Sequence, residues 1–348
     1  SLQILKIIGI FSFNFFAILI FFLSILIFFK NKFKYYLIPI FIVITFSNYF
    51  YGSYNVNSLK QYPSEKINFK IVSAKVDMTS FKDEESVASK LIKYSEPNKN
   101  VKTVFIWPEG VFLDENFYKN KKIKELFKKN FSENHLIIFG ANTSKKVISQ
   151  HKYFNSMLVS NNNLQFLSKY NKRKLVPFGE FLPFEFILNS LGLKKITTGY
   201  VSFSSGKNDS SLEFEYNKKK INILPLICYE IIFPDLLEEN NEYNFLINIS
   251  EDAWFGKSIG PHQHFAKAIF RSIESNVFTL RAANMGVSAF ISPEGKILKN
   301  LQPNEIGNIE LSLPILKNNK KQIKKDLIFL SVLITFIVTF LILRKLKI

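Results

Sequence analysis

The stretch Ile221-Asn-Ile-Leu-Pro-Leu-Ile-Cys228-Tyr-Glu230 is an apolar run that ends on a cysteine and a carboxylate. Similar short apolar runs recur through the middle of the chain and alternate with polar stretches that have helical periodicity. Alternating strands and helices predict an α/β domain. The predicted strands cover residues 67–74, 101–107, 136–141, 155–160, 221–227, 245–250 and 287–292, and the predicted helices lie near 84–95, 121–130 and 262–280.

Uncharged runs flank this domain on both sides. Residues 7–29 would span about 34 Å as a helix, which is enough to cross a bilayer. The shorter run 35–52 contains Pro39, and the run 327–343 precedes a basic end. We therefore predict two transmembrane helices in 1–52, a catalytic domain in 53–319, and a third helix with a basic cytoplasmic tail in 320–348. A signal peptide would be shorter than the first run and would carry a basic start and a cleavage site.

Lysines predict the orientation of the domain. Lys30, Lys32 and Lys34 lie in the short loop between the first two runs, which places that loop in the cytoplasm by the positive-inside rule. The domain would then face the outside. Basic residues before the third run argue for the opposite orientation, but large translocated domains commonly escape the rule; they are Lys317, Lys320, Lys321, Lys324 and Lys325.

Composition limits the classes of partner. Lys and Arg outnumber Asp and Glu by 46 to 28, which gives a net charge of +18 and raises the possibility of nucleic-acid binding. Lysines beside apolar spans are more typical of contact with anionic lipid, and the sequence has no nucleic-acid motif. A single cysteine excludes an intrachain disulfide. His262 and His264, two residues apart, lie on different helix faces, so we predict no metal and no cofactor.

Two candidate reactive residues directly follow or adjoin predicted strands. Glu109 comes after Val-Phe-Ile-Trp-Pro, where Pro108 restricts the turn and Gly110 lets the backbone bend. An isolated glutamate there could equally be a solvated turn residue. Cys228 could be an inert core thiol, but Glu230 two positions later gives a reason to consider a thiolate nucleophile.

A third candidate is the basic run Lys172-Arg-Lys174, which precedes Leu-Val-Pro-Phe-Gly-Glu180. Such a run is usually a solvated surface, yet its prolines and glycine suggest a rigid loop that offers both a cation and a carboxylate. The sequence has no Gly-x-Ser-x-Gly motif, which disfavours a serine hydrolase of the α/β-hydrolase type.

Taken in order, several motifs resemble the nitrilase superfamily, and within it the membrane-bound apolipoprotein N-acyltransferase branch. This resemblance extends from about residue 67 to 310 and implies an α-β-β-α sandwich. The motifs are Trp107-Pro-Glu109, Lys172-Arg-Lys-Leu-Val-Pro-Phe-Gly-Glu180, Cys228-Tyr-Glu230, Asp252-Ala-Trp-Phe-Gly256, Ser258-Ile-Gly-Pro-His-Gln-His264, Arg281-Ala-Ala-Asn284 and Gly286-Val-Ser-Ala289.

The resemblance implies a catalytic triad of Glu109, Lys172 and Cys228. Lys172 matches the family lysine, and Lys174 does not, because Tyr170 supplies the tyrosine of the family's Tyr-x-Lys. A free thiol is mostly protonated at neutral pH, so a general base and a nearby cation would both favour its attack.

Three further positions match supporting residues of the family. Glu180 corresponds to an additional essential glutamate, which could orient the lysine or hold an incoming amine. Tyr229 and Glu230 follow the nucleophile as they do in the family.

The resemblance also implies the reaction and its partners. An acyl chain would pass from a phospholipid to the cysteine as a thioester, and then to the α-amine of the diacylglyceryl-cysteine of an apolipoprotein. The protein would lie in a bacterial inner membrane with its domain in the periplasm. A membrane-tethered amidase or nitrilase and a non-catalytic scaffold are the alternatives.

The sequence departs from the family in several places. Glu251 stands where the family commonly has Asn, Met285 where it often has Thr, and Lys174 where it often has His. The family has more transmembrane helices upstream, and the chain starts with Ser1, so we expect a fragment or a processed form.

Overall fold

A computed structural model describes residues 1–26, 28, 34–57, 62–77, 83–147, 150–184, 202–207, 211–238, 242–316 and 324–345. Several lysines that predict the orientation lie outside the described residues: Lys30, Lys32, Lys317, Lys320 and Lys321.

The helices are α1 (Leu5–Leu26), α2 (Lys34–Asn57), α3 (Glu84–Ser95), α4 (Lys121–Asn130), α5 (Asp235–Glu238), α6 (Gly260–Ser275) and α7 (Lys325–Lys345). The strands are β1 (Lys66–Ser73), β2 (Thr103–Ile106), β3 (His135–Val147), β4 (Gln150–Ser160), β5 (Phe166–Asn171), β6 (Leu212–Tyr216), β7 (Lys219–Ile227), β8 (Phe245–Glu251), β9 (Phe278–Asn284), β10 (Ser288–Ile291), β11 (Ile297–Leu301) and β12 (Gly307–Pro314).

The described strands form two sheets that pack face to face. Their orders are β12-β1-β2-β3-β4-β5 and β11-β10-β9-β8-β7-β6. The central strands β1, β2 and β3 are parallel, as are β7, β8 and β9. Apolar side chains from both sheets meet in one buried core, where the rings of Phe69 on β1 and Phe245 on β8 lie 5.0 Å apart. The carboxyl ends of the parallel strands therefore deliver their following residues to neighbouring places.

Helices cover the outer face of each sheet, which confirms the expected α-β-β-α sandwich. Helix α3 begins at Asp83, whose side chain caps the backbone N–H groups of Glu85 and Ser86. Its apolar stripe and that of α4 pack on the first sheet around Trp107. Helix α6 packs on the second sheet through Ala268.

Three described helices are long and apolar enough to cross a membrane: Leu2–Phe22, Tyr35–Asn57 and Lys325–Ile342. The second extends past the predicted boundary at residue 52, because the polar residues that follow contain no helix breaker. Gly9 interrupts α1 with φ +71°, and there the backbone N–H of Ile10 donates to Glu274 of α6 at 3.1 Å. Lys325 of α7 donates to the carbonyl of Glu274 at 2.7 Å. Helices α1 and α7 thus join the domain at the C-terminal end of α6.

One predicted helix is too long. The helix expected near 262–280 ends at Ser275, because Asn276 adopts the left-handed conformation (φ +56°) that commonly terminates helices. The β-branched residues Val277 and Thr279 then favour β9. Strands β5, β6, β9, β11 and β12 were not predicted. Strands β5, β11 and β12 carry many exposed or half-buried positions that hide the apolar pattern, whereas β6 is a short run in which buried apolar residues alternate with glutamates.

Candidate active site

Glu109 follows the end of β2 and is buried. Gly110 turns the chain away with φ +65°, which a side chain would strain. Gly140 of β3 lies so close that an added Cβ would stand 2.5 Å from the Cα of Glu109. The carboxylate is held from two sides: Oε1 accepts from Asn155 at 2.7 Å, and Oε2 accepts from the backbone N–H of Glu251 at 2.9 Å. Glu109 is therefore not the solvated turn residue that the sequence left open.

Cys228 follows β7 at a sharp turn. Its φ of +48° lies in the left-handed region, which residues with a Cβ rarely adopt. A 3₁₀ helix, Cys228–Ile232, begins at this residue. The buried Glu230 fixes the turn, because its Oε2 accepts the backbone N–H of Ile227 at 2.8 Å.

The same glutamate ties the nucleophile turn to the loop after β5. Oε1 of Glu230 accepts from the hydroxyl of Tyr170 at 2.8 Å, and from the backbone N–H groups of Arg173 at 2.7 Å and Lys174 at 3.1 Å. These hydrogen bonds flank Lys172 in sequence. Glu230 thus fixes the segment that contains Lys172 against the turn that contains Cys228.

Lys172 lies between two carboxylates, and only 1% of it is exposed. Its Nζ donates to Oε1 of Glu180 at 2.9 Å and to Oε1 of Glu109 at 3.4 Å. Asn155 also donates to Glu180, at 2.8 Å. Burial lowers the pKa of the Lys172 ammonium, but the negative charges of Glu109 and Glu180 outweigh burial and raise that pKa above its ordinary value. The lysine is therefore a permanent cation at neutral pH.

Lys174 lies outside this cluster. Its half-exposed Nζ pairs with Asp235 at 2.8 Å and lies 5.3 Å from the centre of the Phe233 ring. The structure thus pairs Lys172 with Glu109, whereas Lys174 contacts residues that follow the nucleophile turn in the chain.

The thiol of Cys228 is protonated in this environment. Burial raises the pKa of the thiol to about 12, the negative charge of Glu109 adds to the increase, and Lys172 opposes it. A resting thiolate is therefore disfavoured at neutral pH, and attack by the sulfur requires a base to take its proton.

A pocket of about 480 Å³ opens above these residues. Its floor contains Glu109, Lys172, Glu180 and Cys228, and Tyr229 lines its wall. Apolar side chains also line it, among them Trp254, which is 58% exposed. Within the described residues, no cluster of three or more His, Cys, Asp and Glu side chains could hold a metal ion.

Sequence reasoning did not find a buried network beneath the nucleophile. Nε2 of His264 donates to the carbonyl of Cys228 at 3.1 Å, and Nδ1 lies 2.9 Å from Asp252. Arg281 pairs with Asp252 at 2.7 Å and with Asn248. Burial raises the pKa of Asp252, but the Arg281 cation and His264 outweigh it and lower that pKa to about 2. His264 thus has one acidic neighbour, Asp252, which Arg281 neutralises.

A profile of the carbon-nitrogen hydrolase family matches residues 94–314, which include every residue of the cluster just described. The chain belongs to this family. Several curated relatives of this chain are named apolipoprotein N-acyltransferase. The resemblance to that branch, inferred from the sequence motifs, is confirmed.

Three of these relatives show the extent of the match. The protein of Rickettsia typhi is 32% identical over 90% of this chain and 62% of its own length. That of Wigglesworthia glossinidia brevipalpis is 33% identical over 85% and 58%. That of Rickettsia prowazekii is 35% identical over 71% and 49%. The chain thus covers about half of the length of one relative and less than two thirds of the length of the other two.

Solved structures share the fold. The nitrilase-superfamily protein Nit3 of Saccharomyces cerevisiae has a TM-score of 0.50 and 17% identity, over 74% of this chain and 93% of its own. The NitFhit protein of C. elegans has a TM-score of 0.52 and 15% identity, over 72% and 61%. These similarities concern the sandwich alone.

Proposed function

We propose that this protein is an N-acyltransferase that moves an acyl chain from a phospholipid, through a thioester on Cys228, to the α-amine of a diacylglyceryl-cysteine on an apolipoprotein. The observation that carries the proposal is the meeting of Cys228, Glu109 and Lys172 in one pocket that apolar side chains also line. The names of the curated relatives support this choice of reaction.

Thioester formation uses the cluster in a defined order. The sulfur of Cys228 attacks the ester carbonyl carbon while its proton passes to Glu109, since the thiol does not ionise beforehand. Lys172 and a backbone N–H beside Cys228 stabilise the oxyanion, each by about 3 to 4 kcal/mol. The carbonyl C–O bond then breaks, and the departing lysophospholipid oxygen takes the proton from Glu109.

The amine of the second substrate then attacks the thioester, and the carbonyl C–S bond breaks. Glu180 helps to keep Lys172 in place, because its Oε1 accepts from Nζ at 2.9 Å and its Oε2 accepts from the backbone N–H of Val176 at 2.9 Å. Such a two-step route has ping-pong kinetics.

The apolar surroundings of the pocket suit lipid substrates. Trp254 and Phe255 line it, and both are exposed large apolar side chains. Phe178 and Phe184, on the loop that contains Glu180, are also exposed. An exposed apolar surface of this kind is typical of contact with a membrane or an apolar ligand.

The function can be tested by giving the acyl-enzyme a choice of acceptor. Membranes that contain the protein receive a phospholipid with a labelled acyl chain and a diacylglyceryl-cysteine peptide. We expect label to appear as an amide on the peptide amine, with little free fatty acid. Label released mainly as free acid would indicate an amidase-like hydrolase, and no release of label would indicate a scaffold; either result contradicts the proposal. A peptide with an acetylated amine is the matched control.

We further propose that the protein is a multi-pass protein of a bacterial inner membrane, with 1–52 and 320–348 holding the catalytic domain 53–319 on the periplasmic side. The three candidate spans support this arrangement, since an odd number of crossings between the loop at 30–34 and the domain places them on opposite sides.

Thiol labelling tests this orientation. In a Cys228→Ala background, the exposed positions Lys121 and Lys345 are each changed to cysteine. We expect a membrane-impermeant maleimide to label Lys121→Cys in cells with a permeabilised outer membrane, and Lys345→Cys only after the inner membrane is broken. The reverse pattern would contradict the proposed orientation.

A further inference from the structure

Glu251 is a second carboxylate beside Glu109, at the end of β8. It lines the same pocket as Cys228, and only 2% of the residue is exposed. Its backbone N–H donates to Oε2 of Glu109, so the two residues are in direct contact. Thioester formation gives this carboxylate no role.

Each carboxylate oxygen of Glu251 accepts one hydrogen bond. Oε1 accepts the backbone N–H of Ala253 at 3.0 Å, and Oε2 accepts from Nδ2 of Asn284 at 2.8 Å. Asn284 is itself fixed by two hydrogen bonds with the backbone of Val76. A carboxylate has about four acceptor positions, so these contacts orient the group and leave room for a proton.

Charges around Glu251 come from every neighbouring element. Glu109 follows β2, Lys172 and Glu180 follow β5, Cys228 follows β7, Asp252 is the next residue in the chain, and His264 and Lys267 lie on α6. Arg281 of β9 pairs with Asp252.

Of these groups, Lys172 pairs with Glu109 and Arg281 pairs with Asp252. Burial raises the pKa of Glu251 to about 8, and the charges of Glu109 and Asp252 add to that increase. An unperturbed α-amino group titrates at a pKa of about 7.7 to 8.0, so a proton passes from it to ionised Glu251 at little cost in free energy. Glu251 accepts the proton only in its ionised form, and the share of that form grows as the pH rises toward 8.

Acyl transfer to an amine releases two protons when the amine arrives as an ammonium ion. The N–C bond forms, the C–S bond breaks, and R–NH₃⁺ becomes an uncharged amide. One proton returns to the sulfur of Cys228 through Glu109, which restores the thiol. The second proton needs another acceptor, which passes it to water.

Other bases in the pocket are less available than Glu251, whose two oxygens accept one donor each. Oε1 of Glu180 accepts from both Lys172 and Asn155, and its Oε2 accepts a backbone N–H. The two ring nitrogens of His264 contact Asp252 and the carbonyl of Cys228.

We propose that Glu251 accepts this second proton from the ammonium of the acyl acceptor and passes it to solvent. The inference builds on the proposed acyltransferase function and names a residue for its second half. Because Glu251 stands beside Glu109, it can deprotonate the ammonium just before Glu109 receives the proton of the attacking amine.

Two acceptors test this role in single turnovers of the pre-formed acyl-enzyme. The diacylglyceryl-cysteine peptide presents an ammonium and releases two protons, whereas hydroxylamine is uncharged at neutral pH and releases one. We expect Glu251→Gln to slow transfer to the peptide by at least about tenfold and to change reaction with hydroxylamine by less than about threefold. Glu251→Asn, which places an uncharged amide there, should show the same split. Glu133→Gln, at an exposed position, is the matched control.

Equal slowing with both acceptors would assign Glu251 a structural role, and no slowing with either would give it none; each result overturns the inference. If Glu251→Gln fails to fold, the same criteria apply to Glu251→Asn. A wild-type protein that forms no acyl-enzyme contradicts the proposed function instead, so the two failures are distinguishable.

Discussion

Replacing Cys228 with alanine should abolish both thioester formation and acyl transfer, while the protein remains folded in the membrane. No other cysteine occurs in the 348 residues, so no second thiol can substitute for it. We expect a loss of at least about 10⁴-fold, which corresponds to about 5 kcal/mol of transition-state stabilisation. Labelled phospholipid incubated with purified protein gives the measurement, with thioester and amide products quantified separately.

Cys228→Ser is the companion variant, because it keeps the size and polarity of the side chain. We expect it to be inactive as well, since a serine hydroxyl is a far weaker nucleophile than a thiol in this site. Thermal unfolding of both variants in detergent controls for folding. Transfer at the wild-type rate by Cys228→Ala would refute a cysteine mechanism.

The second large effect concerns Glu109 and Lys172, which should act as one unit with Cys228. Glu109→Gln removes the base that takes the thiol proton, and Lys172→Ala removes the cation that faces the oxyanion. Each should slow thioester formation by about 10²- to 10⁴-fold. Combined with Cys228→Ala, either change should cost little more, because residues that act together are strongly non-additive.

Lys174→Ala is the matched control for Lys172→Ala. Lys174 pairs with Asp235 outside the pocket, so its loss should slow thioester formation by less than about tenfold. The opposite ranking of the two lysines would show that the assigned catalytic lysine is wrong. Lys172→Ala also leaves the buried carboxylates of Glu109 and Glu180 without their shared cation, which is expected to lower stability. The thermal unfolding of Lys172→Ala is therefore compared with that of Glu180→Gln, which removes one of the two ion pairs but keeps the lysine.

Most central strands could be predicted because they are buried on both faces; β9 was missed although it is fully buried, because the helix predicted near 262–280 ran into it. The strand before Cys228 is an almost continuous apolar run, and its end coincides with the end of that run. The same logic found Glu109 after β2 and most of β8. It failed for β5, which carries Lys172 into the site, because several of its side chains are exposed and the run is polar.

Side-chain contacts that depend on strand pairing could not be predicted from the sequence. Arg281 reaches Asn248 because the two residues are register partners on β9 and β8, a relation that depends on strand pairing 33 residues apart in sequence. Asn155 reaches Glu109 only through the first sheet. Glu251 was visible as a departure from the family, but its elevated pKa depends on burial beside Glu109, which the sequence does not reveal.

The most direct test of the account is the intact mass of the wild-type protein after incubation with phospholipid in the absence of an amine acceptor. The account predicts a mass increase equal to one acyl chain, located on Cys228, removed by hydroxylamine and absent from Cys228→Ala. A wild-type protein that stays unmodified while it transfers acyl chains to an added peptide would contradict a thioester intermediate.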